Sequence, residues 1–299
     1  MKKEVTKVLL AALIITCLLP SNVYAKKKKI DIIVFAGQSN MMGHGNASQA
    51  PTVSKKNGLA YLPVSAPGKL STLYEPFGRE ENDSYFNNVF AGENYATGSM
   101  VSSFVNAYYA KAKTPVLAVP AAMMGTGSSS WATSRYKGII SRTNAAKKAA
   151  KKAGYTVNNT YLVWLQGESD ALAMQRNADG SCDSNMSEKT HIKNVKRMYD
   201  NVAKKTDVSA CFVIVIPSYY GPETDPYGVK WSTYYKKIQD AQVKLCKTYD
   251  EDFFMAYKKT PSIPNSYFHS DHMHLTQEGL NKVGAAAGKA VGSYTKSNR

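Results

Sequence analysis

In the stretch VFAGQSNMMGHG, residues 34–45, an apolar run stops abruptly at Gln38, Ser39 and Asn40. A serine placed where a strand gives way to a turn exposes its hydroxyl at the edge of a sheet, where open α/β folds put their chemistry. A hydroxyl is a poor nucleophile at neutral pH, and it needs a base beside it, normally a histidine whose other ring nitrogen is held by a carboxylate. Gly, Ser and Asn also make ordinary turns, so Ser39 alone leaves a plain strand end open. The five histidines are His44, His191, His269, His272 and His274. His274 follows Asp271 by three residues, and residues so spaced lie on one side of a turn, where the carboxylate reaches the ring. His272, adjacent to Asp271, is expected to face away. His269 and His44 are candidates to line a cleft, and His191, in a helix-period segment, is expected at the surface.

Acyl transfer also needs donors for a developing oxyanion, typically backbone amides in Gly-rich turns together with a side-chain amide. The amides of Ser39 and of Gly125, in MMGTGSSSW (123–131), suit the first kind, and Gln166, in QGESD (166–170), the second. Glu168 and Asp170 have two readings, contact with substrate or organisation of their own loop through its backbone.

These residues need elements to bring them together. Five short runs rich in β-branched and other apolar residues recur at 30–36, 115–122, 160–166, 211–217 and 252–257. Continuous rather than alternating apolarity marks strands covered on both faces, as in a parallel sheet. Between them run apolar stripes of helical period: Met100, Val101, Phe104, Val105 and Tyr108; Ile192, Val195, Tyr199 and Val202; Ile238, Ala241 and Leu245; and, after Thr276, Leu280, Val283, Ala287 and Val291. This alternation predicts one doubly wound, three-layer α/β/α sandwich with a central parallel sheet of about five strands. In such a sheet the carboxyl ends share one edge, so Ser39, Gly125, Gln166 and the 269–279 segment converge. Residues 40–97 lack periodicity and are rich in Gly, Pro, Ser, Asn and Tyr, the character of a long functional insertion.

The first 25 residues read as a secretory signal peptide: Lys2, Lys3 and Lys7, an apolar run from Val8 to Leu19, and small residues ending at Ala25. The run is too short to span a bilayer, and stable membrane insertion is not expected. Residues 26–299 suffice for a single domain with a sizeable core. Outside the leader stand Cys182, Cys211 and Cys246, which allow at most one disulfide and have no metal-like spacing. The formal charge is +16; three Lys and Glu4 fall in the leader, so the remainder keeps +14. Such a chain is attracted to polyanions such as an anionic glycan or cell-wall surface. Much of the charge, however, lies in Lys26–Lys29 and in AAKKAAKKAG (145–154), where it reads as the solvated face of an Ala-rich helix, and no nucleic-acid motif accompanies it.

GQSNMMG, GTGSSSW, QGESD and DHMHLT resemble, in order, the sequence blocks of the SGNH hydrolase superfamily, in the branch of sialate O-acetylesterases and carbohydrate esterase family 6 acetylxylan esterases. The blocks span residues 37–279. The resemblance implies a flavodoxin-like sandwich and makes Ser39 the nucleophile, His274 the general base and acid, and Asp271 its orienting carboxylate. Gly125 matches the second-block glycine, and Gln166 the position where many superfamily members have Asn. Met124 and Gly125 stand where relatives commonly show two glycines before the Thr. The implied reaction is hydrolysis of an acetyl ester on a sugar, by a secreted enzyme without metal or organic cofactor. Gln38, Asn40, Trp131, Glu168 and Tyr219, with Tyr220, are then candidates to touch the sugar, with core packing the alternative for Trp131. Trp164, inside a strand, is expected in the core. Two other readings stay open: a short-chain lipid or general esterase with the same triad, and a non-catalytic glycan-binding protein on this scaffold.

Overall fold

The computed structural model describes residues 28–78, 97–181 and 185–298. The leader, Lys26, Lys27, Cys182 and the 79–96 part of the insertion lie outside the described residues. The strands are β1 (Lys28–Gly37), β2 (Gly58–Ala60), β3 (Ser71–Thr72), β4 (Val116–Ala122), β5 (Tyr155–Leu165), β6 (Ala210–Ile214) and β7 (Phe253–Tyr257). The principal helices are α1 (Ser39–Met42), α2 (Val101–Ala112), α3 (Tyr136–Lys152), α4 (Glu168–Leu172), α5 (Glu188–Ala203), α6 (Trp231–Thr248) and α7 (Gln277–Ser297).

The strand order is β3-β2-β4-β1-β5-β6-β7, parallel throughout except for β3 against β2. The five long strands coincide with the five apolar runs. Among the described residues the sheet has seven strands rather than five because the insertion adds β2 and β3, which at three and two residues are too short to carry a periodic signal. Alternation along β1 sends Ile33 and Phe35 into a core cluster shared with Phe104 of α2, Ile238 of α6 and Val283 of α7. Ile32, Val34 and Ala36 point into the other, with Ile139 of α3 and Val195 of α5. These are the two outer layers of an α/β/α sandwich. The Lys-rich segment of α3 buries Ala146, Ala149 and Ala150 and leaves Lys148, Lys151 and Lys152 exposed, a solvated face as expected. Close helix packing comes from glycine: a Cβ at Gly288 of α7 would lie 2.2 Å from the Phe104 carbonyl oxygen of α2.

Among the long strands, order β4-β1-β5-β6-β7 places the first strand between the second and third, so the chain reverses its direction of progression between β1 and β5. The crevice at such a reversal is where ligands bind in open α/β sheets, and Ser39 begins there. Cys211 and Cys246 are free thiols, and no described helix is long and apolar enough to cross a membrane.

Candidate active site

β1 ends at Gly37, whose φ of +143° and crowding make glycine obligatory: a Cβ there would sit 1.9 Å from the Leu165 carbonyl oxygen. The Gln38 N–H donates to that same oxygen at 3.0 Å, and α1 starts immediately with Ser39, whose N–H therefore has no intrahelical acceptor. From the other end of the chain, the turn 269–274 precedes α7, which Thr276 caps by accepting from the Gly279 N–H. The Asp271 Oδ1 accepts from the backbone N–H groups of Met273 and His274, both at 2.9 Å, which shapes that turn.

The two segments meet in a hydrogen-bonded chain. His274 Nδ1 donates to Asp271 Oδ2 at 2.7 Å, because a carboxylate can only accept. His274 Nε2 is then the bare nitrogen, and it accepts from the Ser39 hydroxyl at 2.8 Å. Burial opposes the charge on Asp271, but the hydrogen bonds from the His274 ring and from two backbone amides outweigh it and hold this carboxyl well below the usual carboxylate range. A bare imidazole nitrogen on a serine hydroxyl, with an ionised carboxylate behind it, can deprotonate that hydroxyl as it attacks a carbonyl carbon.

A family model described as carbohydrate esterase, sialic acid-specific acetylesterase, matches residues 29–292. The chain belongs to this family. It is accordingly a carboxylic ester hydrolase. Among solved structures, a protein from Arabidopsis thaliana is similar at 20% identity with a TM-score of 0.59, over 89% of this chain and 98% of that one. NanS is similar at 14% identity and a TM-score of 0.54, over 92% and 99%. A variant of Axe2, an acetyl-xylooligosaccharide esterase from Geobacillus stearothermophilus, is similar at 12% identity and a TM-score of 0.50, over 86% and 91%. At these identities the likeness is one of fold. No curated protein matches.

The remaining residues of this carbohydrate esterase divide differently from the expectation. Asn40 is buried and fully engaged: its Nδ2 donates to Glu168 Oε1 at 2.8 Å and to the Met273 carbonyl at 3.2 Å, and its Oδ1 accepts from the Leu275 N–H at 3.0 Å. It therefore ties the Ser39 turn to the loop carrying His274 and has no amide hydrogen left to donate to a sugar. Glu168 is wholly buried; burial pushes its carboxyl above the ordinary value, against the lowering effect of the Asn40 bond and of backbone N–H groups at the start of α4. Gln38 is likewise internal, its Oε1 accepting from Gln166 Nε2, the Gly167 N–H and the Ser169 N–H at 3.2–3.4 Å.

Gln166 departs from the expected oxyanion role. Its side chain is fully buried and its two amide hydrogens are used, by the Thr126 carbonyl at 3.0 Å and by Gln38 Oε1 at 3.3 Å. It braces the Gly125 turn against the Ser39 turn instead. Gly125 itself adopts a φ of +65° in that turn. Trp131 is a core residue, edge-on to the equally buried Trp164 and donating through Nε1 to Thr126 Oγ1 at 2.8 Å. Tyr219 is internal too, packed on Trp231 and Tyr235 and donating to Glu223. Tyr220 remains partly exposed, its hydroxyl donating to the Ile263 carbonyl at 2.7 Å.

His191 is completely buried, contrary to the surface placement. Its Nδ1 donates to Asp170 Oδ2 at 2.6 Å, and Asp170 Oδ1 accepts from the Ser128 N–H at 2.8 Å, so this pair anchors the segment that follows Gly125. The signal was present in the spacing, since His191 stands four residues before Val195 on the apolar stripe of α5. His272 faces Asn265 rather than Ser39. His44 stacks on His274, and His269 Nε2 donates to the His44 carbonyl at 2.9 Å.

Proposed function

We propose that this carbohydrate esterase removes O-acetyl groups from sugars through an acetyl-enzyme on Ser39. The reading rests on the Asp271–His274–Ser39 chain at the carboxyl edge of β1. His274 Nε2 takes the hydroxyl proton as Oγ attacks the acetyl carbonyl, and Asp271 stabilises the imidazolium that results. The N–H groups of Ser39 and Gly125 receive the oxyanion, while Gln166 and the Asp170–His191 pair hold the Gly125 turn in place. His274 then returns the proton to the departing sugar oxygen. Water, deprotonated by the same nitrogen, attacks the acetyl carbonyl, and acetate leaves as Ser39 recovers its proton.

The substrate class is supported by the family description, which names sialic acid, and by the polar, Tyr-rich composition of residues 40–97, which suits a sugar better than a long acyl chain. We place the enzyme outside the cell after removal of the leader near Ala25, where the cationic chain meets an anionic glycan or wall surface. Acetate release from acetylated sialic acid, acetylated xylan and acetylated pectin, set beside acetyl and octanoyl esters of one chromogenic alcohol, tests this. Acetyl should be hydrolysed far faster than octanoyl and at least one glycan should turn over efficiently; equal rates on octanoyl ester with no glycan turnover would favour a general esterase.

A further inference from the structure

His44 stands outside the Asp271–His274–Ser39 chain, yet its ring lies flat on that of His274, with centroids 4.1 Å apart and planes inclined by 11°. The segment carrying it is tied down on several sides. The Gly43 N–H donates to the Ser39 carbonyl at 2.8 Å, closing α1, and the Gly45 N–H donates to the Gly98 carbonyl at 2.9 Å. The His44 carbonyl accepts from His269 Nε2 at 2.9 Å, and the His269 N–H donates to the His274 carbonyl at 2.9 Å. The stack is therefore built from both segments that meet at the site.

Such a contact does something that the Asp271 bond does not. A histidine ring turns about a terminal torsion whose wells are broad. Hydrogen bonds at Nδ1 and Nε2 pin two points of the ring and leave rotation about the line joining them loosely defined, whereas a parallel ring across its face resists that rotation. The charged and titratable groups that face His44 are His274, Asp271 and His269. Burial, followed by the proximity of His274, lowers the His44 pKa to about 3, with Asp271 opposing and His269 adding to the effect. The stacked ring is thus uncharged near neutral pH, and it covers one face of the His274 imidazole without repelling it.

Resting on the reading of His274 as the general base, we propose that His44 is a positioning residue for it: the stacked ring fixes the plane of His274 so that Nε2 stays on the Ser39 hydroxyl, and it keeps water from that face. Phenylalanine at this position preserves a flat ring without hydrogen-bonding groups, whereas alanine removes the ring.

The test compares wild type, His44→Phe and His44→Ala by melting temperature, by kcat and KM on a small acetyl ester, and by NMR titration of the His274 ring signal. His44→Phe should keep kcat within about threefold of wild type, whereas His44→Ala should lose about tenfold to a hundredfold in kcat with KM nearly unchanged, the cost of a misplaced reacting group. The His274 midpoint should rise in the alanine variant, because water newly admitted to the ring favours its charged form, and stay near the wild-type value in the phenylalanine variant. Full activity in His44→Ala, equal damage in both variants, or a change confined to KM or to melting temperature would each overturn the proposal. If the wild type hydrolysed no acetyl ester, the functional reading would fail by itself; the NMR midpoints would still decide the stack, and identical values in wild type and His44→Ala would refute it.

Discussion

Asn40→Ala perturbs the joint on which the site depends. Asn40 makes three hydrogen bonds: two buried ones, to Glu168 Oε1 and from the Leu275 N–H, and a part-buried one to the Met273 carbonyl. Truncation leaves all three partners inside the protein, and each stranded buried group costs about 1–3 kcal/mol. Glu168 loses the side-chain hydrogen bond that Asn40 makes to its Oε1, and it can moderate its share by staying protonated. The net loss should be about 3–5 kcal/mol, a large fraction of the stability of an ordinary domain. Because Met273 and Leu275 flank His274, the same change frees the base from its register with Ser39, and kcat should fall by about a hundredfold. Urea unfolding gives the first quantity, and steady-state kinetics on a soluble acetyl ester, at a temperature where the variant is folded, gives the second. A variant within about 1 kcal/mol of wild type and within about threefold in kcat would show that Asn40 does not join the two segments.

Other consequences can be checked alongside it. Gln166→Ala should cost about 1–3 kcal/mol in stability and about tenfold in kcat, because Gln166 braces the Gly125 turn; a loss of a hundredfold to a thousandfold in a fully stable variant would return it to the oxyanion. The folded pKa of Glu168 lies above its unfolded value, so between the two the folded protein holds a proton that the unfolded chain has released, and wild-type stability falls as pH rises through that window. Glu168→Gln keeps an acceptor for Asn40 and removes the titration, so in melts between about pH 4 and pH 7 its stability should gain on wild type as pH rises; a constant difference would contradict the burial argument. Asp271 has the opposite sign: its folded pKa is depressed, so its contribution is present above the unfolded value and lost as pH falls through the folded one. Asp271→Asn should lower kcat by about three to four orders of magnitude through the wrong His274 tautomer, and activity within tenfold of wild type would exclude that role.

The parts of the molecule legible in the sequence are those with a strong local signature. Five strands covered on both faces must be continuously apolar, and α2, α5, α6 and α7 must show a stripe, so each could be read from its own residues. The 271–274 spacing was legible because Asp271 and His274 bond within one turn. What was not legible depends on partners distant in the chain. Asn40 and Glu168 are 128 residues apart, and nothing near either says that they pair rather than touch substrate. Gln166 bonds Thr126 across 40 residues, which turned an expected donor into a brace. Trp131 and Tyr219 stand at strand ends, where exposed and buried aromatics look alike in sequence, and packing drew both inward.

The most direct test of the account is acetate release by Ser39→Ala at matched folded concentration. The hydroxyl is the atom to which the acetyl group is held to transfer, and His274 and Asp271 act only through it. The variant should melt with the wild type while turnover falls by about a thousandfold or more, leaving only what an oxyanion hole and binding supply. A folded Ser39→Ala protein that kept a tenth of wild-type turnover on the same acetyl ester would contradict the assignment of Ser39, and with it the acetyl-enzyme route.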